Sequence, residues 1–276
     1  MNALFFLIAS AGVNTLLMPA SAKGVLTYYS RTAGDEAIFY NPATFKAQSD
    51  YRSSIFYTNL YTGMKNLHIA LTREFNKIDL GISIMNFDYG RIEARPEYPT
   101  EDSTGFYSAN DFCMGVCVSS NVTTNGRFGV KAKYIYENIS VYSGATLGLD
   151  VSLAYLNQYS GITVGANNIG GTMKIASESV NLPAKLSLGY YRIVNKFILS
   201  IDLHYMINTS SFESALAGEM RLTNNLELGV GINYRDYLYP GFYLSVIHKG
   251  LSIKYGTSFY PYNLGMINTV GISILF

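Results

Sequence analysis

Residues 266–276 read M-I-N-T-V-G-I-S-I-L-F, and the chain ends on Phe276. Counting back by twos puts Phe276, Ile274, Ile272 and Val270 on one side and Leu275, Ser273, Gly271 and Thr269 on the other. Successive side chains of a strand point to opposite faces. The stretch therefore predicts a strand with one apolar face and one face of mostly small or polar groups. A soluble sandwich can also end on such a strand, with its apolar face turned into a core. In a barrel that crosses a membrane, the apolar face is turned to lipid.

The remaining chain repeats this pattern. Segments of strand length lie near 53–60, 65–74, 77–87, 109–119, 127–136, 144–156, 159–169, 183–192, 196–206, 213–223, 225–235, 240–249, 250–259 and 264–276. Their usual length of about ten suits a tilted membrane-crossing strand. They are separated by turn-like connections at Asn76, 121–126, Asn195 and Asn224-Asn225. Helical periodicity appears nowhere at length. Phe197, Leu199, Ile201, Leu203 and Tyr205 oppose Ser200, Asp202 and His204; Leu226, Leu228, Val230, Ile232 and Tyr234 oppose Glu227, Gly229, Gly231 and Asn233. The solvent face of a sandwich usually carries many charges. Here the polar face is rich in Gly and Ser, and only 14% of residues are charged. The expected fold is all-β: a transmembrane antiparallel β-barrel of about 14 strands with a short N-terminal plug segment.

The N-terminus agrees about compartment. Residues 4–18 are largely apolar and lead into Ala20-Ser21-Ala22, a small-x-small cleavage pattern. An anchoring helix is the alternative, but the stretch is short and broken by Asn14. The expected organisation is a signal peptide over 1–22, a plug or hatch segment over 23–50 and the barrel over 51–276. No other segment approaches ~18 consecutive apolar residues. The net charge of +1 gives no electrostatic case for nucleic acid. The 24 Tyr suit strands and membrane-interface girdles, although Trp is absent.

The strand register assigns Asp79, Asp150, Asp202, Glu219 and Glu227 to the interior, with Lys131, Lys133, Lys185, Arg221 and Lys254. Five acids against five bases suggest paired, space-filling groups rather than a strongly ion-selective pore; a solvated channel wall is the other reading.

Residues 34–46 read G-D-E-A-I-F-Y-N-P-A-T-F-K. Asp35 can cap a short helical turn, and Pro42 disfavours helix at Asn41, so a plug-like turn ending at Asn41-Pro42-Ala43 is expected before the first strand. This run resembles the N-terminal signature of PorV/PorQ-like barrels, related to the FadL-type transporters of hydrophobic compounds. Tyr89-Gly90-Arg91-Ile92-Glu93, the run 105–112, Asn168-Ile169-Gly170-Gly171, Leu182-Pro183 and Gly218-Glu219 are similar to further pieces of that family. The terminal Phe276 resembles the assembly signal of bacterial outer-membrane barrels. These resemblances imply export to the outer membrane, with its lipid and its barrel-assembly machinery as partners. They imply transport or binding of a hydrophobic ligand, or docking of secreted proteins in an export machine. A structural or pore-forming barrel is a third reading. For transport, the alternation of strand 77–87 changes phase at Ile84-Met85, which would suit a bulge and a lateral exit, with Phe39, Met85 and Phe87 lining a pocket.

Other chemistry is not encoded. Cys113 and Cys117 share a strand face roughly 13 Å apart, too far for a disulfide. His68, His204 and His248 lack metal-ligand spacing, and no nucleophile with a base stands in a recognisable context. No cofactor or catalytic residue is expected. The charged loop 90–108 reads as a solvated loop or a lid.

Overall fold

The computed structural model describes residues 13–27, 29–30, 35–60, 63–94, 105–260 and 265–276. Fourteen antiparallel strands form a closed barrel. In chain order these are β1 (Arg52–Asn59), β2 (Lys65–Phe75), β3 (Ile78–Ala94), β4 (Gly105–Asn121), β5 (Gly126–Ile139), β6 (Tyr142–Leu156) and β7 (Ser160–Gly170). After a two-stranded hairpin, β8 (Thr172–Ile175) and β9 (Glu178–Asn181), the wall continues. It runs through β10 (Lys185–Val194), β11 (Phe197–Met206), β12 (Ser211–Thr223), β13 (Leu226–Arg235), β14 (Tyr237–His248), β15 (Leu251–Tyr260) and β16 (Gly265–Leu275). β1 pairs with β16 from Arg52↔Leu275 to Asn59↔Asn268, which leaves the sheet no edge. Phe276 extends that seam: its amide donates to Tyr51 O and its ring stacks on Tyr51 with centroids 6.3 Å apart.

The outer wall is apolar. On β3, Ile78, Leu80, Ile82 and Ile84 point outward, while Asp79, Gly81, Ser83, Met85 and Phe87 point into the lumen. On β16, Val270, Ile272 and Ile274 face out, and Thr269, Gly271 and Ser273 face in. A wall of this kind is the surface that lipid tails cover.

The sequence reading needs four corrections. β3 and β4 run farther than expected, to Ala94 and from Gly105, so Arg91 and Glu93 belong to a strand and not to a loop. A bulge between Asp88 and Arg91, with Gly90 at φ 74°, resets the register and lets a polar extension keep pairing. The expected bulge at Ile84-Met85 is absent, because pairing is continuous on both sides (His68↔Met85, Met85↔Cys113). The alternation looked shifted there because the lumen itself turns apolar at Met85 and Phe87. Arg221 keeps the inward register, yet its side chain is 60% exposed. It sits where β12 bulges and ends, so it pairs with half-buried Glu227 at the rim, 2.6 Å away. The β8–β9 hairpin was not foreseen. Its Met173 and Ile175 are buried and belong to the apolar core.

The core lies inside the barrel. Short 3-10 turns at Asn14–Leu16, Lys23–Val25 and Asp35–Phe39 belong to an N-terminal segment threaded through the lumen. Ile38, Phe39 and Phe45 from this segment pack with Phe56, Ala70, Met85, Cys113 and Cys117 from the wall. Both cysteines are free and buried.

Candidate functional site

The strand hairpins define two ends. Arg52, Leu275 and the tight turn at Asn76-Lys77 mark the terminus end, and the β3–β4 extension marks the loop end. Residues 23–27, 29–30 and 35–47 fill the terminus-end half of the lumen. The wall holds them mainly by gripping their main chain. Asp202 accepts from the amides of Tyr29 and Ser30, both at 2.8 Å. Asp79 accepts from Ala47 N at 2.8 Å and pairs with Arg127 at 2.6 Å. The Arg127 guanidinium also donates to Ala43 O and Phe45 O. Lys131 donates to Ile38 O, Asn167 to Tyr40 O and Asn233 to Val25 O. Lys254 pairs with Glu36 at 2.6 Å, and Lys23 Nζ with Glu219 at 2.5 Å.

Most inward charges therefore act on the plug. A plug without regular structure carries main-chain groups that must be paired when buried, and the wall charges supply partners. Asp150 differs: it binds Lys133 at 2.6 Å and the amide of Asn168 at 2.7 Å within the wall. That group sits at a third bulge, between Leu149 and Val151, where Asn168 has φ 57°. Lys185 is buried and lines the lumen.

The Asn41-Pro42-Ala43 turn lies against β5 and β6. Asn41 Nδ2 donates to Tyr29 O at 2.7 Å, while its Oδ1 accepts from Ala43 N at 3.1 Å. Ala43 N also donates to Ser152 Oγ at 2.8 Å. Gly129 makes this approach possible, since a Cβ there would stand 2.2 Å from the Pro42 carbonyl carbon. Asp35 opens the 3-10 turn that precedes it.

Residues 13–22 fill the loop-end half. Ala20, Ser21 and Ala22 are buried, and Ala20 N donates to the Tyr40 hydroxyl at 2.6 Å. Burial holds the hydroxyls of Tyr29 and Tyr40 protonated, well above the usual tyrosine range. Two cavities flank this segment. One of 230 Å³ lies between residues 16–19 and a wall that includes Lys185, Glu213, Tyr239 and Tyr260. The other, of 20 Å³, has room for about one water and lies between Leu16, Met18 and Ala20 and a lining that joins Phe39, Tyr40 and Met85 to the polar wall groups Lys131, Lys133, Asp150 and Lys185. Phe87 joins Leu60 and Ile267 in a separate cluster on which Met18, Tyr89 and Tyr260 pack. So Phe39, Met85 and Phe87 all border the space that residues 16–20 occupy, but in two groups. Residues 1–12 of the expected signal peptide lie outside the described residues.

Sequence reasoning missed Arg127, Asp111 and Glu137, all buried in the lumen. The register held the signal. Arg127 and Glu137 share the parity of Lys131 and Lys133, and Asp111 that of Cys113 and Cys117.

A closed 14-strand antiparallel wall is an arrangement found in solved structures. The barrel has the fold of FadL-type transporters. The toluene transporter TbuX of Ralstonia pickettii is similar over 93% of this chain and 98% of its own, with a TM-score of 0.66 and 12% identity. The toluene transporter TodX of Pseudomonas putida gives a TM-score of 0.66 at 12% identity, over 94% and 98% of the two chains. A Pseudomonas aeruginosa FadL homologue gives 0.61 at 10% identity, over 87% and 94%. No protein-family profile and no curated protein sequence matches.

Proposed function

We propose that this protein is a bacterial outer-membrane barrel that takes up a small hydrophobic molecule through a chamber in the loop-end half of its lumen. The observation that carries this reading is the space that residues 16–20 occupy, which has an apolar side of Phe39, Met85, Phe87, Leu60, Ile267 and Tyr260 and a polar side that includes Lys131, Lys133 and Lys185. The plug closes it on the terminus side. Pockets for small ligands are concave and mostly apolar, with a few polar groups to orient the guest. Cleavage after Ala22 removes the present occupant and joins the two cavities into one chamber. The loop end then faces the outside, and Phe276 at the other end directs assembly.

The FadL-type fold of the neighbours supports transport above the PorV/PorQ-like docking role. A wide pore is disfavoured by the packing of residues 23–27 and 35–47 in the lumen. The test is mass spectrometry of solvent extracts of the barrel, purified from native outer membrane in a detergent foreign to those cells. Near-stoichiometric enrichment of an apolar molecule is expected. Absence of any such molecule, with secreted proteins co-purifying, would replace this reading with docking. Large stable conductance steps in a planar bilayer would replace it with a pore.

A further inference from the structure

Asp111 on β4 and Glu137 on β5 are directly opposite each other in the strand register. Both face the lumen and are 0% and 1% exposed. Residues directly opposite on one face have Cβ atoms about 5 Å apart. Two carboxylates at that spacing in a space closed to water repel each other and lack hydration, which demands compensation. Among the described residues, neither meets a cation.

What covers them now is a set of donors. Tyr89 Oη donates to Asp111 Oδ2 at 3.0 Å, and the Thr15 amide reaches the same oxygen at 3.3 Å. The Val13 main chain donates to Glu137. Asp111 Oδ1 and Glu137 Oε2 have no partner at all. Thr15 and Val13 belong to the segment that processing would remove. Their loss would leave two carboxylates with four oxygens and one remaining donor, Tyr89.

The surroundings are aromatic. Phe87 is opposite Asp111 on the other flank of β4, and its ring centroid is 4.6 Å from that of Tyr89. Carboxylates beside aromatic faces have the composition that binds an ammonium group. The carboxylates accept its N–H bonds, and the ring quadrupoles attract its charge. Met18 lies next to this point, among Leu60, Phe87, Ile267 and Tyr260. An apolar body would occupy the volume Met18 vacates while its head reaches Asp111.

We propose that Asp111, Glu137, Phe87 and Tyr89 form a recognition site for the protonated amine head of an apolar ligand. This proposal rests on the chamber reading above and gives its ligand a sign of charge. A neutral hydrocarbon would leave both carboxylates uncompensated, and an anionic ligand would add a third like charge.

The test uses processed protein purified from outer membranes in a nonionic detergent, with three probes of similar size. These are phenethylamine, propylbenzene and 3-phenylpropanoate, with binding measured by ligand-observed NMR titration. Phenethylamine is expected to bind about tenfold tighter than either other probe, as befits a charge-assisted contact. The D111N/E137Q variant keeps the shape and removes the charge. It should abolish the preference while propylbenzene binds as before. F87L keeps both carboxylates; because Phe87 also lines the chamber it should weaken both the amine and propylbenzene, the amine more. Heat-modifiable mobility in gels verifies that each variant is a folded barrel. Equal affinities for the amine and propylbenzene, or a preference that survives in D111N/E137Q, would overturn the amine site and leave the chamber standing. Binding of none of the three would overturn both.

Discussion

Arg127 Nη2 lies 2.6 Å from Asp79 Oδ2, and both side chains are almost fully buried. The guanidinium also donates to the carbonyls of Ala43 and Phe45, and Asp79 accepts from Ala47 N. This one pair therefore fastens the last five residues of the plug to β3 and β5. Removing one partner of a buried ion pair strands the other charge. R127A should destabilise the barrel by about 3–5 kcal/mol, seen as a lower urea midpoint. It should also expose residues 43–47 to protease in folded protein. D79N/R127M, which removes both charges, should recover most of the midpoint.

Gly129 gives a sharper probe of plug position. A Cβ there meets Pro42 main-chain atoms, which cannot move aside as a flexible side chain would. G129A should cost about 1–3 kcal/mol and loosen the plug, read as new cleavage near Pro42. G218A is the control. Its nearest neighbour, Leu199 Cδ2, is 3.8 Å away in ordinary contact, so its urea midpoint should match that of the unaltered protein.

Under the proposed processing after Ala22, Lys23 becomes the first residue. Its nitrogen already lies 3.1 Å from Glu36 Oε2, so the new α-ammonium would join Lys254 on that carboxylate. Intact mass of the exported protein should correspond to loss of residues 1–22; a retained segment would contradict the chamber reading. E36Q removes the carboxylate charge that these cations share and should cost about 3 kcal/mol in urea unfolding.

Phe276 should act more on assembly than on stability. Its ring stacks on Tyr51 at the seam, a contact worth about 1 kcal/mol. F276A should refold in detergent with a nearly unchanged midpoint. In cells it should reach the outer membrane in much lower amount, measured by immunoblot of membrane fractions. Equal amounts would assign Phe276 a purely structural part.

The wall was legible in the sequence because alternation is a local property. Each of Ile78, Leu80, Ile82 and Ile84 has its face set by parity, whatever lies on the far side of the barrel. The same parity placed Asp79, Asp202 and Lys131 inside. It could not say what they hold, because their partners are main-chain groups of the plug. Tyr29 is 173 residues from Asp202 and Ile38 is 93 from Lys131. Nor could hydropathy reveal the parity that Met85 and Phe87 keep, because the lumen there is apolar and inside resembles outside.

The sequence by itself determined an alternating wall of strand-length segments and the parity that sends each side chain in or out. These follow from short-range rules of strand pleat and peptide chemistry. Tertiary structure alone decided that Arg127 and Asp79 clasp the plug, that β3 stays regular at Met85 and bulges at Gly90, and that Asp111 meets Glu137. Those outcomes depend on closure. Only when β1 joins β16 does a lumen exist, and only then must each inward group find its partner there.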